Sequence, residues 1–379
     1  MTIATPTVLL FGSLPQRAEE QIAASYATVK LPHADHFQIT PSLADRVTGM
    51  AGVGPVDAQI MDALPNLEII ASFGVGYDGT DAAHARSKGI MVTNTPDVLN
   101  EEVADATIGL LINTLRELPK AEAWLRAGRW EQDGPYRLTR RTLRGRTAGI
   151  YGMGRIGRAI ARRLEGFGLP VYYHNRRPLD DGGYRYFSSL LELAGAVDIL
   201  ISAVPGGPAT DRAIDAGVLA ALGREGILIN IGRGSTVDEV ALIEVLESGV
   251  IGGAGLDVYA GEPHVPARLL ALDNVSLLPH VASASIEARG AVADLVAANI
   301  RSWFEEGRAL TPVPETADLV WRVAASMMFC SVASARWKWP VITPSLNTRM
   351  RSLTVSNSGS SDEVTIIDMP LAASCSISL

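Results

Sequence analysis

Cysteine is nearly absent. The 379-residue chain has two, Cys330 and Cys375, both near its C-terminal end. The long stretch before them therefore excludes disulfides, thiolate catalysis and cysteine-ligated metal. No apolar run approaches the ~20 residues that a membrane-spanning helix needs. The N-terminal "MTIATPTVLLFG" lacks the basic n-region of a signal peptide, and the simplest expectation is a cytoplasmic protein. A basic excess is also missing: 33 Lys and Arg stand against 41 Asp and Glu, for a net charge of -8. That excludes the basic face with which nucleic-acid binders release counterions. The local basic run Arg137–Arg146, "RLTRRTLRGR", reads as a solvated loop.

What is present is a soluble globular composition, 47% hydrophobic and 20% charged, long enough for two domains. The first hundred residues alternate apolar, β-branched runs ("TVLLFG", "VTGMAGVG", "LEIIASFGVG", "IMVTNT") with helical segments, the pattern of a parallel sheet with crossovers. A helix is expected from about Leu99 to Ala127, capped by Asn100, with Glu101 and Glu102 in its first turn. From Thr147 a second series offers six strand candidates, "TAGIYG", "PVYYH", "VDILISAV", "GILINIG", "GGAGLDV" and "VSLLP". A helix over Ser285–Gly307 closes the body. The serine-rich residues from 315 to 379 lack clean periodicity and read as a poorly ordered or accessory tail.

Gly152, Gly154 and Gly157 form G-x-G-x-x-G between the strand "TAGIY" and the helix "RIGRAIARRLEGFG". In that context the motif is a dinucleotide site, with the pyrophosphate on the helix N-terminus. An acid is missing where the next strand ends. A carboxylate there would accept from the ribose hydroxyls and repel a 2′-phosphate. The chain offers Asn175, Arg176 and Arg177, while Asp180 and Asp181 lie beyond Pro178. Arginines pair with phosphate, so the expected cofactor is NADPH, with NADH weaker. The bland alternative is that both arginines are solvated loop residues.

Later strands also end in polar residues. "GILINIGRGS" presents Arg233, "GAGLDVYAGEP" presents Asp257 and Glu262, and "VSLLPHVAS" presents His280. In a doubly wound sheet such ends converge. An arginine to grip a carboxylate, a histidine to donate a proton and an acid to orient it suit reduction of a 2-oxo acid. His264 near Glu262 gives too few ligands for a metal, so none is expected.

"NIGRGSTVDEVAL", "GGAGLDVYAGEP", "LLPHVAS", "SFGVGYDGTD" and "VTNTPDVLNEEVADATIGLL" together resemble the D-isomer-specific 2-hydroxy acid dehydrogenases, closest to glyoxylate, hydroxypyruvate and hydroxyphenylpyruvate reductases, over about residues 5 to 314. The resemblance implies an α/β fold of two doubly wound parallel-sheet domains, Rossmann-type and flavodoxin-like, with a cleft between them. It implies a discontinuous substrate domain, 1–98 with 283–314, a cofactor domain, 99–282, and a homodimer. It makes Arg233, Glu262 and His280 catalytic, with Val75, Gly76 and Arg233 holding the substrate. It lines the cofactor with Gly152, Met153, Gly154, Arg155, Ile156, Gly157, Asn175, Arg176, Arg177, Ala203, Val204, Pro205, Ile231, Gly232 and Asp257. Two alternatives stay open: a dinucleotide-sensing protein of the same fold, and an NAD-linked relative with another 2-hydroxy acid substrate.

Overall fold

Two all-parallel sheets organise the computed structural model, which describes residues 5–180 and 183–319. The first holds β1 (Thr7–Phe11), β2 (Ala27–Leu31), β3 (Val47–Gly52), β4 (Ile69–Ser72) and β5 (Met91–Thr93), in the order β2-β1-β3-β4-β5. The second holds β6 (Ala148–Tyr151), β7 (Val171–His174), β8 (Arg185–Tyr186), β9 (Ile199–Ser202), β10 (Ile227–Asn230), β11 (Gly253–Leu256) and β12 (Val275–Leu277), ordered β12-β11-β10-β9-β6-β7-β8. Both are doubly wound, as expected, and both reverse strand order next to their first strand.

Both faces of each sheet are covered, which is why the strands read as unbroken apolar runs. In β9 and β10, Ile199, Ile201, Ile227 and Ile229 enter one core, while Leu200 and Leu228 enter the core on the opposite face. In β1, Leu9 and Phe11 point one way and Val8 and Leu10 the other. Two strands are absent from the sequence expectation. The edge strand β2 is largely exposed and carries little apolar signal. The strand β8 spans only two residues, so seven strands stand where six are expected.

The helix expected over 99–127 divides into Asn100–Arg116 and Leu118–Arg126. Glu117 between them is left-handed, φ 53°. Pro119, without an N–H and clashing with a preceding turn, could not sit inside a continuous helix. Asn100 is helical rather than capping. Leu99 is the boundary residue, and the Asn100 side chain donates to Asp97 Oδ1 at 3.2 Å. The closing helix, Ile286–Glu306, is capped by Ser285, whose Oγ accepts from Ala288 N, and ends at Gly307 with φ 71°. It packs against the helix Gln16–Ala23 and on β3 and β4.

Residues 315–319 belong to the body, although the sequence places them in the tail. Thr316 is fully buried, and its Oγ1 accepts from Val92 N at 3.1 Å. The rest of the expected tail, 320–379, lies outside the described residues. No described helix is long and apolar enough to cross a membrane.

Candidate active site

The glycine turn leaves β6 and enters the helix Arg155–Gly166. Gly152 has φ 101°, and a Cβ there would come within 2.9 Å of the Ala203 carbonyl carbon. A Cβ at residue 157 would overlap Gly152 O, so the helix could not approach the strand. At residue 154 a Cβ would meet nothing within 4 Å. The approach to the helix N-terminus is thus open, and its first-turn N–H groups lack intrahelical partners. An anionic group fits this cradle.

The surrounding residues divide by what their groups are free to do. Met153 is buried in the core, and Asn175 Oδ1 accepts its N–H at 2.7 Å, tying the turn to the end of β7. Arg155 pairs with Asp97 at 3.0 Å. Arg176 and Arg177 are exposed and have no ion-pair partner among the described residues. Ala203–Pro205 follow β9, and Ile231 and Gly232 follow β10. Val204 O lies so close to Gly232 that a Cβ there would come within about van der Waals overlap at 2.5 Å.

His280 follows β12 in a left-handed conformation, φ 52°. Asp257 builds that turn. Its carbonyl accepts from His280 N at 2.8 Å, and its carboxylate accepts from Val281 N at 2.7 Å and Ala282 N at 3.0 Å. Asp257 is 1% exposed, and burial raises its pKa against the opposing pull of the two N–H groups. Each of its carboxylate oxygens thus accepts one backbone N–H of the turn that carries His280.

The His280 Nδ1–H donates to Glu262 Oε2 at 2.7 Å. The other oxygen of Glu262 accepts from Tyr259 N at 2.9 Å, which fixes the carboxylate. Tyr259 OH donates to Leu278 O at 2.9 Å, and burial, with the charges of Asp257 and Glu262, pushes its pKa up to about 12. The imidazole Nε2 has no partner among the described residues, and 47% of the His280 side chain is exposed.

Arg233 follows β10, and its carbonyl accepts from Asn230 Nδ2 at 2.9 Å and Thr236 Oγ1 at 2.7 Å. A Cβ on Gly234 would overlap the Tyr259 carbonyl group, so the Arg233 loop lies directly on the loop that carries Glu262. The Arg233 guanidinium reaches the first sheet. Its Nη2 occupies the space a Cβ on Gly76 would need, and its Nε donates to Asp78 Oδ1 at 3.0 Å. The loop after β4 is pinned by Asn94 Nδ2, which donates to Val75 O at 2.8 Å, and by Thr95 N, which donates to Gly74 O at 2.9 Å. The Val75 and Gly76 N–H groups meet no acceptor among the described residues.

The structure thus brings Glu262 and His280 together, and brings Arg233 to Gly76. Asp78 was missed in the sequence. It stands in the quoted "SFGVGYDGTD", but an acid beside a presumptive anion site reads as a misfit until its arginine partner is seen.

Comparison with known proteins places the chain among relatives of one family. Residues 108–282 match the model of the D-isomer specific 2-hydroxyacid dehydrogenase NAD binding domain. The chain is 48% identical over 267 residues to glyoxylate/hydroxypyruvate reductase A of Arabidopsis thaliana, covering 70% of this chain and 84% of the relative. Hydroxyphenylpyruvate reductase of Plectranthus scutellarioides is 46% identical over 267 residues, with the same coverages of 70% and 84%. Among solved structures, the NADPH-dependent glyoxylate/hydroxypyruvate reductase of Sinorhizobium meliloti, in complex with NADP and malonate, superposes with a TM-score of 0.81 at 53% identity, covering 83% of this chain and 98% of that one.

Proposed function

The chain belongs to the D-isomer-specific 2-hydroxyacid dehydrogenase family, and from that premise we propose that it is an NADPH-preferring reductase of small 2-oxo acids such as glyoxylate, hydroxypyruvate or aryl pyruvates, yielding D-2-hydroxy acids. The observation that carries this reading is the Glu262–His280 hydrogen bond of 2.7 Å, with the imidazole Nε2 without a partner among the described residues.

In this reading the second sheet, within 99–282, holds the cofactor, and 1–98 with 283–314 holds the substrate. The turn Gly152–Gly157 and the helix after it bind the pyrophosphate through free N–H groups. Arg176 and Arg177 take the 2′-phosphate, with Asn175 bracing the turn. Ala203–Pro205, Ile231 and Gly232 line the remainder. Asp257 acts from behind, by shaping the turn that carries His280. When bound, the dinucleotide supplies the hydride that reaches the keto carbon.

The rest falls to the protein's own side chains and amides. The Val75 and Gly76 N–H groups and Arg233 Nη2 bind the substrate carboxylate and set the keto group's orientation. Glu262 accepts the Nδ1–H of His280, which leaves Nε2 as the nitrogen that hands a proton to the developing alkoxide. The implied homodimer is part of the proposal. Leu118, Leu125 and Trp130, on the segment 118–130, are 46%, 54% and 61% exposed and offer apolar surface for the partner subunit.

The test is NADPH oxidation followed by absorbance with glyoxylate, hydroxypyruvate and hydroxyphenylpyruvate, and with NADH in parallel. Turnover of one or more, faster with NADPH, is expected. Tight NADPH binding with no turnover on any substrate would favour a dinucleotide sensor instead, and equal rates with NADH would refute the role of the two arginines.

A further inference from the structure

Asp78 places a negative charge beside the one guanidinium that a substrate carboxylate is expected to meet. On charge alone that weakens the site. Its geometry shows what it contributes. Arg233 Nε donates to Asp78 Oδ1 at 3.0 Å and to Oδ2 at 3.3 Å, while Nη1 donates to Gly232 O at 2.9 Å. Two sides of the fork are thus held by protein. The Nη2 corner is left, and it lies against Gly76, next to the Val75 and Gly76 N–H groups, which have no acceptor among the described residues.

A second feature protects the pair. Gly206, in the loop after β9, sits on its other side. A Cβ there would come within 2.9 Å of Asp78 Oδ2 and 3.3 Å of Arg233 Cγ. Bare backbone on both flanks gives the arginine and the aspartate the room they occupy. The side chains are 31% and 28% exposed, so the pair is partly withdrawn from water and less screened by salt than a surface contact.

We propose that Asp78 is a positioning residue for the reaction: it binds the Nε edge of Arg233 and so presents the Nη2 corner to the substrate carboxylate beside the Val75–Gly76 amides. This rests on the reading of Arg233 as the carboxylate ligand. A free arginine would lose rotamer freedom each time substrate binds, and Asp78 removes that freedom beforehand. Because Asp78 lies in the loop after β4 and Arg233 in the loop after β10, the pair also fixes the arginine relative to the loop with which it shares the substrate.

The test uses the whole chain with Asp78→Asn, Asp78→Ala and, as control, Arg233→Ala. Measured are KM and kcat for glyoxylate, inhibition by oxamate, and the Kd for NADPH. Asp78→Ala is expected to raise the glyoxylate KM and the oxamate Ki together by about 10- to 100-fold, the scale of a misplaced binding group, with the NADPH Kd unchanged. Asp78→Asn keeps an oxygen that can accept from Nε and is expected to recover part of the loss. KM unchanged in both Asp78 variants, or NADPH and glyoxylate affinities falling in step, overturns the proposal. If Arg233→Ala itself leaves KM and Ki unchanged, the assignment of Arg233 fails first, and that outcome is distinguishable from failure of Asp78 alone.

Discussion

Glu262 Oε2 lies 2.7 Å from His280 Nδ1, and its second oxygen is fixed 2.9 Å from Tyr259 N. The carboxylate therefore selects one ring nitrogen of the imidazole and leaves the other to the substrate. Glu262→Gln keeps the size of the group and removes its charge. It is expected to lower kcat about a hundredfold, near the low end of what a positioned acid contributes, with the NADPH Kd unchanged. Steady-state kinetics with a fluorescence titration of NADPH checks both halves.

Gly76 leaves space for Arg233 Nη2. Gly76→Ala puts a methyl group where the guanidinium lies, and the arginine must move. The glyoxylate KM is expected to rise at least about tenfold, as displaced binding groups do, while the melting temperature changes little. A wild-type KM would mean that the guanidinium is not where the substrate carboxylate binds.

Arg176 and Arg177 stand exposed beside the turn that Asn175 braces, without a carboxylate partner among the described residues. Replacing both with alanine is expected to weaken NADPH by about a hundredfold, the scale of two lost charge-assisted hydrogen bonds, and to leave NADH nearly untouched. Parallel Kd measurements with the two nucleotides decide it.

Arg17 clamps the closing helix to the first sheet's first helix through a two-pronged contact with Asp294, both distances 2.7 Å. The hydrogen bond from Arg17 holds the Asp294 pKa below its ordinary value, aided by Gln21 and opposed by partial burial. A lowered folded-state pKa means the stabilisation is present above the unfolded value, near ~3.9, and is lost as pH falls through the folded one. Asp294→Asn is expected to lower stability by its full amount near neutrality, and the difference from the unaltered protein should vanish as pH falls through the folded-state pKa of Asp294. The difference should shrink in high salt, since 44% of the Asp294 side chain is exposed. Circular dichroism against pH would check it.

Much of this was legible beforehand because the signals were local. Strands covered on both faces must be apolar throughout, and β1, β6, β9 and β10 read that way. The edge strand β2 and the two-residue β8 bury too little to leave a pattern. The glycine turn carried its own chemistry in its spacing. Arg233, Glu262 and His280 were nameable as polar residues at strand ends. The partner of Arg233 was not: Asp78 is far along the chain from it, and no spacing links them. Asp257 was nameable at its strand end as well, while its hold on the His280 turn through three backbone N–H groups leaves no trace in the spacing. The break at Glu117 was signalled by Pro119, which the helical periodicity around it masked.

The central claim is that His280 is the proton donor. Its most direct test is single-turnover oxidation of NADPH in His280→Gln, mixed rapidly with saturating glyoxylate. The rate constant is expected to fall by about 10²- to 10⁴-fold, the usual contribution of a general acid, with the NADPH Kd preserved. A rate near that of the unaltered protein, with NADPH bound, would contradict it.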